Sequence, residues 1–379
     1  MRASDRHADP DPVTVSVVIA ARDAAATLPD QLRALAAQRA ERSWEVIVAD
    51  NGSTDGTRDV VEDARSWLPQ ARLVDASGTP GAGAARNAAA EVARGGTLLF
   101  CDADDVVAPG WIDALGAAVD RTGVVAGRLE WHRLNDRSAR RSRALPQVEG
   151  LQYTEPLPWL PCAAASNLGI GRELFHRIGR FDPRARWLQD TDLCWRAQLA
   201  GSRLEFEPAA VVHMRLRHGL RDTWDQGRHS GMGQRWLAAR YGDVREALAV
   251  HHEPAPPADV TAPVVPAPRR QLLRSRPVRV ARRAGTVAGE LARVRSRGDV
   301  ARLSWSTGFG LGYALGGLPD PEPFPPAEVA GLAADGRGGP DGLAGTDGPG
   351  GPDAPGGTGG PGAAAAPEPS GTRERHPDE

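Results

Sequence analysis

Strand-length apolar runs alternate with segments of helical periodicity over the first hundred residues of the chain. The strand-like runs lie at 13–20, 45–49, 72–75 and 97–101, and small or aliphatic residues recur at helical spacing in 24–40, 57–68 and 84–94. Strict alternation of β and α elements is typical of a mostly parallel sheet with helices on both faces. The pattern therefore predicts an α/β fold.

The pattern continues less regularly as far as residue 250. It predicts a helix at 111–120, a strand at 124–131, an arginine-rich loop at 133–143, helices at 174–178 and 193–199, and a strand pair or edge strand at 204–212. We therefore expect one compact domain over 13–250, preceded by a disordered N-terminus at 1–12.

The composition changes after the compact domain. A proline-rich linker at 251–268 leads into an arginine-rich, partly helical extension at 269–318, in which aliphatic residues are scattered among the arginines. From 319 to 379 the chain is rich in Gly, Pro and Ala, with too few large apolar side chains to offset the conformational entropy of folding. This tail is predicted to be disordered.

Acidic residues follow three of the predicted strands. Asp23 comes after the first strand, Asp50 after the second, and Asp102, Asp104 and Asp105 after the strand that ends at Cys101. Ligands of parallel α/β sheets bind at the carboxyl ends of the strands, so we expect a binding rim there, against the alternative of ordinary solvated loops. Crowded carboxylates repel one another unless a cation holds them, and a divalent cation that bridges to phosphate is the natural partner.

Charge and cysteine content exclude several classes of protein. The net charge of −2 provides no overall electrostatic drive toward nucleic acid, and every basic side chain other than histidine is arginine, since the chain has no lysine. The three cysteines are too far apart for a disulfide framework or C-x-x-C metal spacing, which favours a reducing cytoplasm. The polar start of the chain argues against a secretory signal, and no apolar run is long enough to predict a transmembrane helix.

Five motifs in order give the chain a family resemblance. They are Val17-Val-Ile-Ala-Ala-Arg-Asp23, Ala49-Asp-Asn-Gly-Ser-Thr-Asp-Gly56, Gly81-Ala-Gly-Ala-Ala-Arg-Asn87, Phe100-Cys-Asp-Ala-Asp-Asp105 and Gln189-Asp-Thr-Asp-Leu-Cys-Trp-Arg196. Together they resemble the family 2 glycosyltransferases, over about three fifths of the chain. The resemblance implies a GT-A fold, which is Rossmann-like, and inverting transfer of one sugar from a nucleotide-diphospho-sugar to an acceptor hydroxyl.

The resemblance also implies roles for residues of the binding rim. The nucleotide-sugar contacts fall on six residues: Ala20, Arg22, Asp23, Asp50, Arg86 and Asp102. Asp104 is expected to be the direct ligand of Mn²⁺ or Mg²⁺, with Asp102 beside it and His213 as a further ligand. Ser53 to Asp55 also fit a cap for the helix that begins near Thr57.

The acceptor end of the site is implied by the last motif. Asp190 matches the family's general base, Gln189 stands where the family usually has Glu, and Asn167, Asp182 and Trp187 fall on the acceptor side. Asp192 is a second candidate base or an i,i+4 ion pair with Arg196. Met232 replaces the Gln of the processive members' Q-x-x-R-W element, which favours transfer of a single sugar.

Two rival functions remain open. A sugar nucleotidyltransferase would need a glycine-rich basic loop after the first strand, which Ala20-Ala-Arg-Asp-Ala does not supply. A non-catalytic nucleotide-sugar-binding scaffold is kept open by Gln189. The partners expected of a transferase are the donor and a glycan, lipid-linked or small-molecule acceptor, without nucleic acid. The extension at 269–318 is a solvated basic segment or a contact with an anionic membrane at the inner face of the cell membrane.

Overall fold

The computed structural model describes residues 12–216, 219–249 and 295–325, all of which lie within one compact unit, Met1–Leu343. The expectations for the N-terminus up to residue 11, for the linker, for the extension as far as residue 294 and for the tail from residue 326 lie outside the described residues. Residues 319–325, which the sequence assigns to the tail, are described, and Phe324 among them is buried.

The first part of the domain alternates strands and helices, as the sequence predicts. Its elements are β1 (Val15–Ala21), α1 (Leu28–Ala36), β2 (Trp44–Asp50), α2 (Thr57–Ala64), β3 (Ala71–Asp75), α3 (Ala82–Glu91), β4 (Thr97–Asp102), β5 (Val106–Val107), α4 (Trp111–Thr122) and β6 (Gly123–Glu130). Each predicted element in this region forms, with ends that differ from the prediction by a few residues.

The second part is richer in helix. Its elements are α5 (Arg137–Arg140), β7 (Gln152–Tyr153), β8 (Pro161–Cys162), β9 (Asn167–Gly171), α6 (Arg172–Arg177), α7 (Gln189–Leu199), β10 (Arg203–His213), α8 (Leu220–Arg240), α9 (Gly242–Ala249) and α10 (Arg297–Leu315). The pattern of the sequence did not predict β9 or α8, and the arginine-rich loop at 133–143 contains the short helix α5.

The main sheet has eight strands in the order β3-β2-β1-β4-β9-β6-β10-β5. Parallel pairing joins β3, β2, β1 and β4, and also β6 and β10, whereas β9 and β5 run antiparallel to their neighbours. The register places Asp102 beside Ala20, and Asp50 beside Ala21, at the carboxyl ends of their strands. The predicted α/β class with a mostly parallel sheet is confirmed.

Helices cover both faces of the sheet. On one face, Leu32 of α1, Val61 of α2 and Trp111 of α4 pack in one buried cluster with apolar residues of β1 and β2. On the other face, Ala89 of α3 and Leu193 of α7 belong to a second cluster. Apolar side chains on both faces of the sheet are therefore removed from water, which stabilises the strands as a buried central layer.

Helices α8 and α10 pack through glycines on both partners. An ideal Cβ on Gly231 would lie 2.1 Å from the Phe309 carbonyl oxygen, and one on Gly312 would lie 2.0 Å from the Arg228 carbonyl oxygen. The two backbones can approach this closely only because these positions carry no side chain. In the part of the chain that the structure describes, no helix has both the length and the apolar character needed to cross a membrane.

Candidate functional site

A pocket of about 720 Å³ opens at the carboxyl ends of β1 and β4. The loop after β4 forms its floor, and the start of α7 and one side of α8 form its walls. The sequence-predicted site residues that line it are Ala20, Arg22, Asp23, Arg86, Asp102, Asp104, Trp187, Gln189 and Asp190. The fold therefore brings most of the predicted residues, from motifs more than 150 positions apart in the chain, to one cavity.

Three carboxylates form a cluster at the pocket, where Asp102 and Asp104 belong to the lining and the neighbouring Asp105 is buried. One oxygen each from Asp102, Asp104 and Asp105 lies within 4.8 Å of the other two. Asp105 is almost fully buried, and its Oδ1 accepts a hydrogen bond from the backbone N–H of Arg215 at 2.8 Å. Its Oδ2 is buried and has no hydrogen-bond partner among the described residues.

The electrostatics of this cluster suit a divalent cation. Burial, followed by repulsion from Asp104 and Asp102, raises the pKa of Asp105 well above its ordinary value. A hard cation such as Mg²⁺ or Mn²⁺ would relieve that repulsion, and the unpartnered Oδ2 could serve as one of its ligands. The donor set therefore fits a divalent metal ion. Asp105 is a member of this set, which the sequence analysis counted among the crowded carboxylates but did not name as a metal ligand.

Arg86 connects α3 to this cluster. Its Nη2 donates to Asp102 Oδ1 at 2.5 Å, and its guanidinium lies over the Phe181 ring, 5.6 Å from the centroid. The side chain is 4% exposed, and within the described residues neither Nε nor Nη1 has a hydrogen-bond partner. Gly81 starts the helix at φ +129°, a conformation that favours glycine, and the backbone N–H of Gly81 donates to Asn51. Arg86 therefore lines the pocket and carries two buried donors that have no partner among the described residues.

Asp190 lies in the first turn of α7, whose N-cap residue Leu188 has a left-handed backbone conformation. Its Oδ2 accepts from the Ala165 backbone N–H at 3.2 Å and its Oδ1 from its neighbour Thr191 at 2.9 Å. Burial raises the pKa of Asp190, while these hydrogen bonds and the charge of Arg86 act in the opposite direction. The result is a carboxylate of increased basicity at the pocket surface.

Two of the predicted nucleotide-binding residues, Asp23 and Asp50, differ in whether they line the pocket. Asp23 lines the pocket, and its Oδ1 accepts from the backbone N–H of Thr54 at 2.7 Å and from the Thr54 hydroxyl at 3.1 Å. Asp50 does not line it: this residue is 1% exposed, and its Oδ2 accepts from Arg58 at 3.0 Å. Asp50 thus holds the loop after β2 in place. Helix α2 begins at Thr57, whose backbone N–H donates to Asp55 Oδ1 at 3.0 Å.

His213 lies outside the carboxylate cluster and outside the pocket lining. It ends β10, and its Nδ1 lies 2.7 Å from Glu130 Oε2 on the neighbouring strand β6. Burial alone would raise the pKa of Glu130, but the hydrogen bonds from His213 and from the backbone N–H groups of His132 and Arg133 outweigh it and lower that pKa. The structure therefore gives His213 a carboxylate partner in the sheet and does not bring it into the carboxylate cluster, so its metal role stays a prediction.

Two of the predicted acceptor residues are structural. Asn167 is fully buried within the sheet, where it donates to the carbonyl oxygens of Arg128 and Ala210 and accepts from Trp111 Nε1. Asp182 accepts from Arg184 at 2.9 Å and does not line the pocket. Asn167 and Asp182 use their hydrogen bonds to join strands and loops of the protein, and the sequence alone does not show which partner a polar side chain takes.

The other acceptor-side expectations place residues at the pocket. Trp187 stacks on His229 of α8, with ring centroids 3.8 Å apart and an interplanar angle of 9°. Gln189 and Trp187 both line the cavity beside Asp190. Gly233 permits the close approach of α8 to the Trp187 backbone, because an ideal Cβ there would lie 2.8 Å from the Trp187 carbonyl oxygen.

Asp192 belongs to the interior, which decides between the two roles open to it. It is fully buried, and its Oδ2 accepts from Arg196 Nη2 at 2.7 Å, the i,i+4 ion pair. Its Oδ1 accepts from the Tyr241 hydroxyl at 2.8 Å and lies 2.9 Å from Arg240 Nε. With every neighbour supplied by the protein, Asp192 has no access to the pocket and does not serve as the second candidate base.

Helix α8 supplies pocket residues that the sequence analysis missed. Gln226, His229 and Ser230 project from successive turns of this helix, and Arg215 enters from the loop after β10. Their i, i+3 and i+4 spacing is the only signal in the sequence, and it is shared by any polar helix face. Arg215 Nε donates to the carbonyl oxygen of Asp104 at 2.9 Å, which fixes the loop that carries the carboxylates.

Comparisons with known proteins agree with this site. Residues 16–179 match the family model described as glycosyl transferase family 2. A pre-mycofactocin glycosyltransferase of Mycobacterium tuberculosis is 29% identical over 260 residues, covering 66% of this chain and 50% of the relative. A succinoglycan biosynthesis protein of Rhizobium meliloti, ExoO, is 31% identical over 220 residues, covering 54% of this chain and 61% of the relative. The chain thus spans about half to three fifths of the length of these relatives.

A solved structure is also similar. The crystal structure of S. aureus TarS, residues 1–349, aligns with 63% of this chain and 73% of its own, at 18% identity and a TM-score of 0.44. The family match covers β1 through α6 and includes the carboxylate cluster and Arg86, while α7, α8 and α10 lie beyond it. Residues 16–179 of this chain are therefore similar to the family 2 glycosyltransferases, the family that the sequence motifs resemble.

Proposed function

We propose that the protein transfers one sugar from a nucleotide-diphospho-sugar to an acceptor hydroxyl, with inversion at the anomeric carbon. The observation that carries this proposal is that one pocket joins a carboxylate cluster suited to a metal, the buried cation Arg86 and the basic carboxylate of Asp190. The metal site and Arg86 would stabilise the negative charge of a nucleoside diphosphate leaving group, and Asp190 would take the proton of a hydroxyl nucleophile.

At the donor end, Asp102, Asp104 and Asp105 would hold Mn²⁺ or Mg²⁺. The ion would supply positive charge to the diphosphate as it leaves. The Nε and Nη1 groups of Arg86, which are buried and have no partner among the described residues, would donate to a phosphate oxygen, while Nη2 stays on Asp102. Asp23 and Arg22 at the end of β1 would contact the nucleoside, since both line the same end of the pocket.

At the acceptor end, Asp190 would take the proton of the attacking hydroxyl. Its raised pKa makes it a better base than an ordinary aspartate, and the hydrogen bonds from Ala165 and Thr191 fix its carboxylate plane. The bond from the hydroxyl oxygen to the anomeric carbon forms as the bond to the diphosphate oxygen breaks. Gln189 supplies an amide beside this base, where it can hydrogen-bond the acceptor without adding negative charge.

The acceptor is proposed to be a glycan, which suits the amide, hydroxyl and aromatic groups at this end of the pocket. The Rhizobium relative named for succinoglycan biosynthesis supports the same choice, with cell-envelope glycans as a related class. Met232 in place of the Gln of the processive element supports transfer of one sugar. Three buried free cysteines support a cytoplasmic location.

The test is a screen of the full chain against UDP-, GDP- and dTDP-sugars with Mn²⁺ or Mg²⁺, read by thermal shift and by release of the nucleoside diphosphate. We expect metal-dependent donor binding that is lost in Asp104→Ala. Asp190→Asn should keep donor binding and lose turnover. Donor binding without turnover in the unmodified chain would instead support the non-catalytic scaffold, and a folded chain that responds to no nucleotide-sugar would exclude both.

A further inference from the structure

Two arginine-rich segments that are far apart in the sequence lie side by side in the structure. One is the loop at 133–143, which contains α5, and the other is the start of α10 at 295–302. Arg141 Nη2 lies 3.3 Å from Asp299 Oδ1, and an ideal Cβ on Gly298 would lie 2.7 Å from the Ser138 carbonyl oxygen. The two segments are therefore in close contact and form one surface.

This surface carries a strong positive charge in a chain whose net charge is −2. The two segments contain eight arginines and two aspartates, a formal charge of +6. The side chain of Asp299 is only 7% exposed, and its charge is taken up by Arg141 and Arg302. Asp136 accepts from the Ala139 backbone N–H at 2.7 Å as the cap of α5. The acidic groups are thus engaged locally, while six of the arginines are exposed.

Exposed apolar side chains accompany the arginines. Of the seven large apolar side chains that are exposed among the described residues, four lie on α10 or at the start of α8: Leu220, Val300, Leu311 and Leu315, with exposures of 52%, 37%, 44% and 74%. At 100° per residue, the three on α10 share one side of that helix. By the same arithmetic, this side is centred roughly a quarter of a turn from Gly308 and Gly312, which contact α8.

A cleft of about 450 Å³ lies at the centre of the same surface. Leu220, Val300 and Arg297 line it, so apolar and cationic groups face a common space. Thr223 of α8 also lines the cleft, and Gln226, one turn further along α8, lines the proposed active-site pocket. One turn of helix spans about 5 Å, so the two cavities are neighbours.

We propose that this surface, named the basic face and made of 133–143, 295–302, Leu220, Leu311 and Leu315, docks on an anionic phospholipid bilayer. Arginines attract the negatively charged headgroups, and exposed aliphatic side chains enter the boundary between headgroups and acyl chains. The cleft accommodates a headgroup with the start of its acyl chain. Docking there brings the acceptor end of the pocket close to the membrane, where a lipid-linked acceptor would be presented.

The combination of groups favours lipid over nucleic acid. A nucleic-acid surface would use arginines on phosphates and exposed aromatic rings on bases. Here the exposed large apolar groups of α8 and α10 are aliphatic. Leu220 and Val300 line the cleft with Arg297, and Leu311 and Leu315 lie about 13 and 20 Å further along α10 than Arg302. Trp305 and Phe309 stack on each other, with centroids 5.3 Å apart. Burial in a membrane interface would account for the exposure of Leu220, Leu311 and Leu315 in the free protein, whereas phosphate binding would not.

The test is co-sedimentation of the full chain with phosphatidylcholine vesicles that contain or lack phosphatidylglycerol. We expect binding only to the anionic vesicles, weakened by salt. Arg137→Gln/Arg297→Gln should weaken it about twenty-five-fold, at about fivefold for each arginine removed. Leu311→Ser/Leu315→Ser should remove the binding that survives high salt. The matched control is Arg39→Gln/Arg177→Gln, which changes two exposed arginines outside the basic face and should bind as the unmodified chain does.

Three outcomes would overturn the proposal. They are equal binding to vesicles without phosphatidylglycerol, unchanged binding of Arg137→Gln/Arg297→Gln, and tighter binding to a short DNA duplex that falls in the same variant. Donor binding, measured by thermal shift with nucleotide-sugar and Mn²⁺, should be the same in all the variants. Loss of vesicle binding with donor binding retained therefore separates failure of the basic face from failure of the proposed transferase.

Discussion

Arg86 Nη2 donates to Asp102 Oδ1 at 2.5 Å, so a buried cation from α3 is attached to the carboxylate cluster at the end of β4. Burial raises the pKa of Asp190, and the charge of the same guanidinium offsets part of that rise. Arg86 thus lies between the group proposed to hold the metal and the group proposed to act as base. A phosphate bound to its two unused donors would be held between them.

Arg86→Lys should weaken binding of the nucleoside diphosphate about tenfold, because an ammonium keeps the charge but cannot bind Asp102 and phosphate through a planar fork. Isothermal titration with the diphosphate and Mn²⁺ measures this. Arg172→Lys changes an arginine that donates to the Ala93 carbonyl oxygen away from the pocket, and it should leave the affinity unchanged. Equal affinities in the two variants would contradict a phosphate role for Arg86.

Asp105→Asn should separate metal binding from stability. Without metal the variant should unfold at a higher temperature, because a buried, repelled carboxylate becomes a neutral amide that can still accept from Arg215. The gain in melting temperature on adding Mn²⁺ should disappear. Scanning fluorimetry with and without Mn²⁺ gives both values, with the exposed Asp63→Asn as the control. A full Mn²⁺ gain in Asp105→Asn would exclude this residue from the metal site.

The turnover rate should depend on the protonation of Asp190. Burial raises its pKa above the ordinary value of 3.8, so the base becomes protonated, and kcat falls, as the pH decreases through that raised pKa. The loss should therefore begin at a higher pH than for an ordinary aspartate. The measurement is a profile of kcat against pH at saturating donor and metal, with donor affinity followed over the same range. A constant kcat down to the ordinary aspartate range would rule out Asp190 as the base.

Asp192→Asn should destabilise the fold by about 3–5 kcal/mol, because it leaves the buried cation of Arg196 without its counter-charge and Arg240 with Asp182 alone. Urea unfolding of the variant measures the free energy of unfolding. Asp190→Asn is the comparison two residues away. Since burial already disfavours the charged form of Asp190, its neutralisation should cost less than about 1 kcal/mol. Similar losses in both variants would show that the Asp192 network is not the main anchor of α7.

Gly312→Ala should destabilise the contact of α10 with α8 by about 1–3 kcal/mol, because the new Cβ would meet the Arg228 carbonyl oxygen. Gly310→Ala is the matched control on the same helix. An ideal Cβ at Gly310 meets nothing within 4 Å, so this variant should gain about 0.5–1 kcal/mol from helix propensity. Thermal unfolding of both variants decides the sign, and a stabilising Gly312→Ala would mean that the two helices can separate without cost.

The local pattern of the sequence accounts for the first half of the fold. The apolar run that becomes β1 and the helical spacing of Leu28, Leu32 and Leu35 need no distant partner to be recognised. Strand β9 was not predicted, since Asn167-Leu-Gly-Ile-Gly171 has only five residues, two of them glycines, which are depleted in strands, and it pairs with β4 and β6 from distant parts of the chain. Helix α8 was missed for a related reason, because its glycines are unfavourable for a helix until α10 packs on them.

Residue types and their order along the chain determined the α/β class, the rim at the strand ends and the carboxylates of the site. Which polar residues face the pocket was decided only by the tertiary structure. Asn167, Asp182 and Asp192 match sequence expectations in type and position, yet neighbouring carbonyl groups and arginines satisfy them away from the pocket. A buried polar group must find a partner, and whether that partner is a ligand or another part of the protein depends on contacts between distant segments.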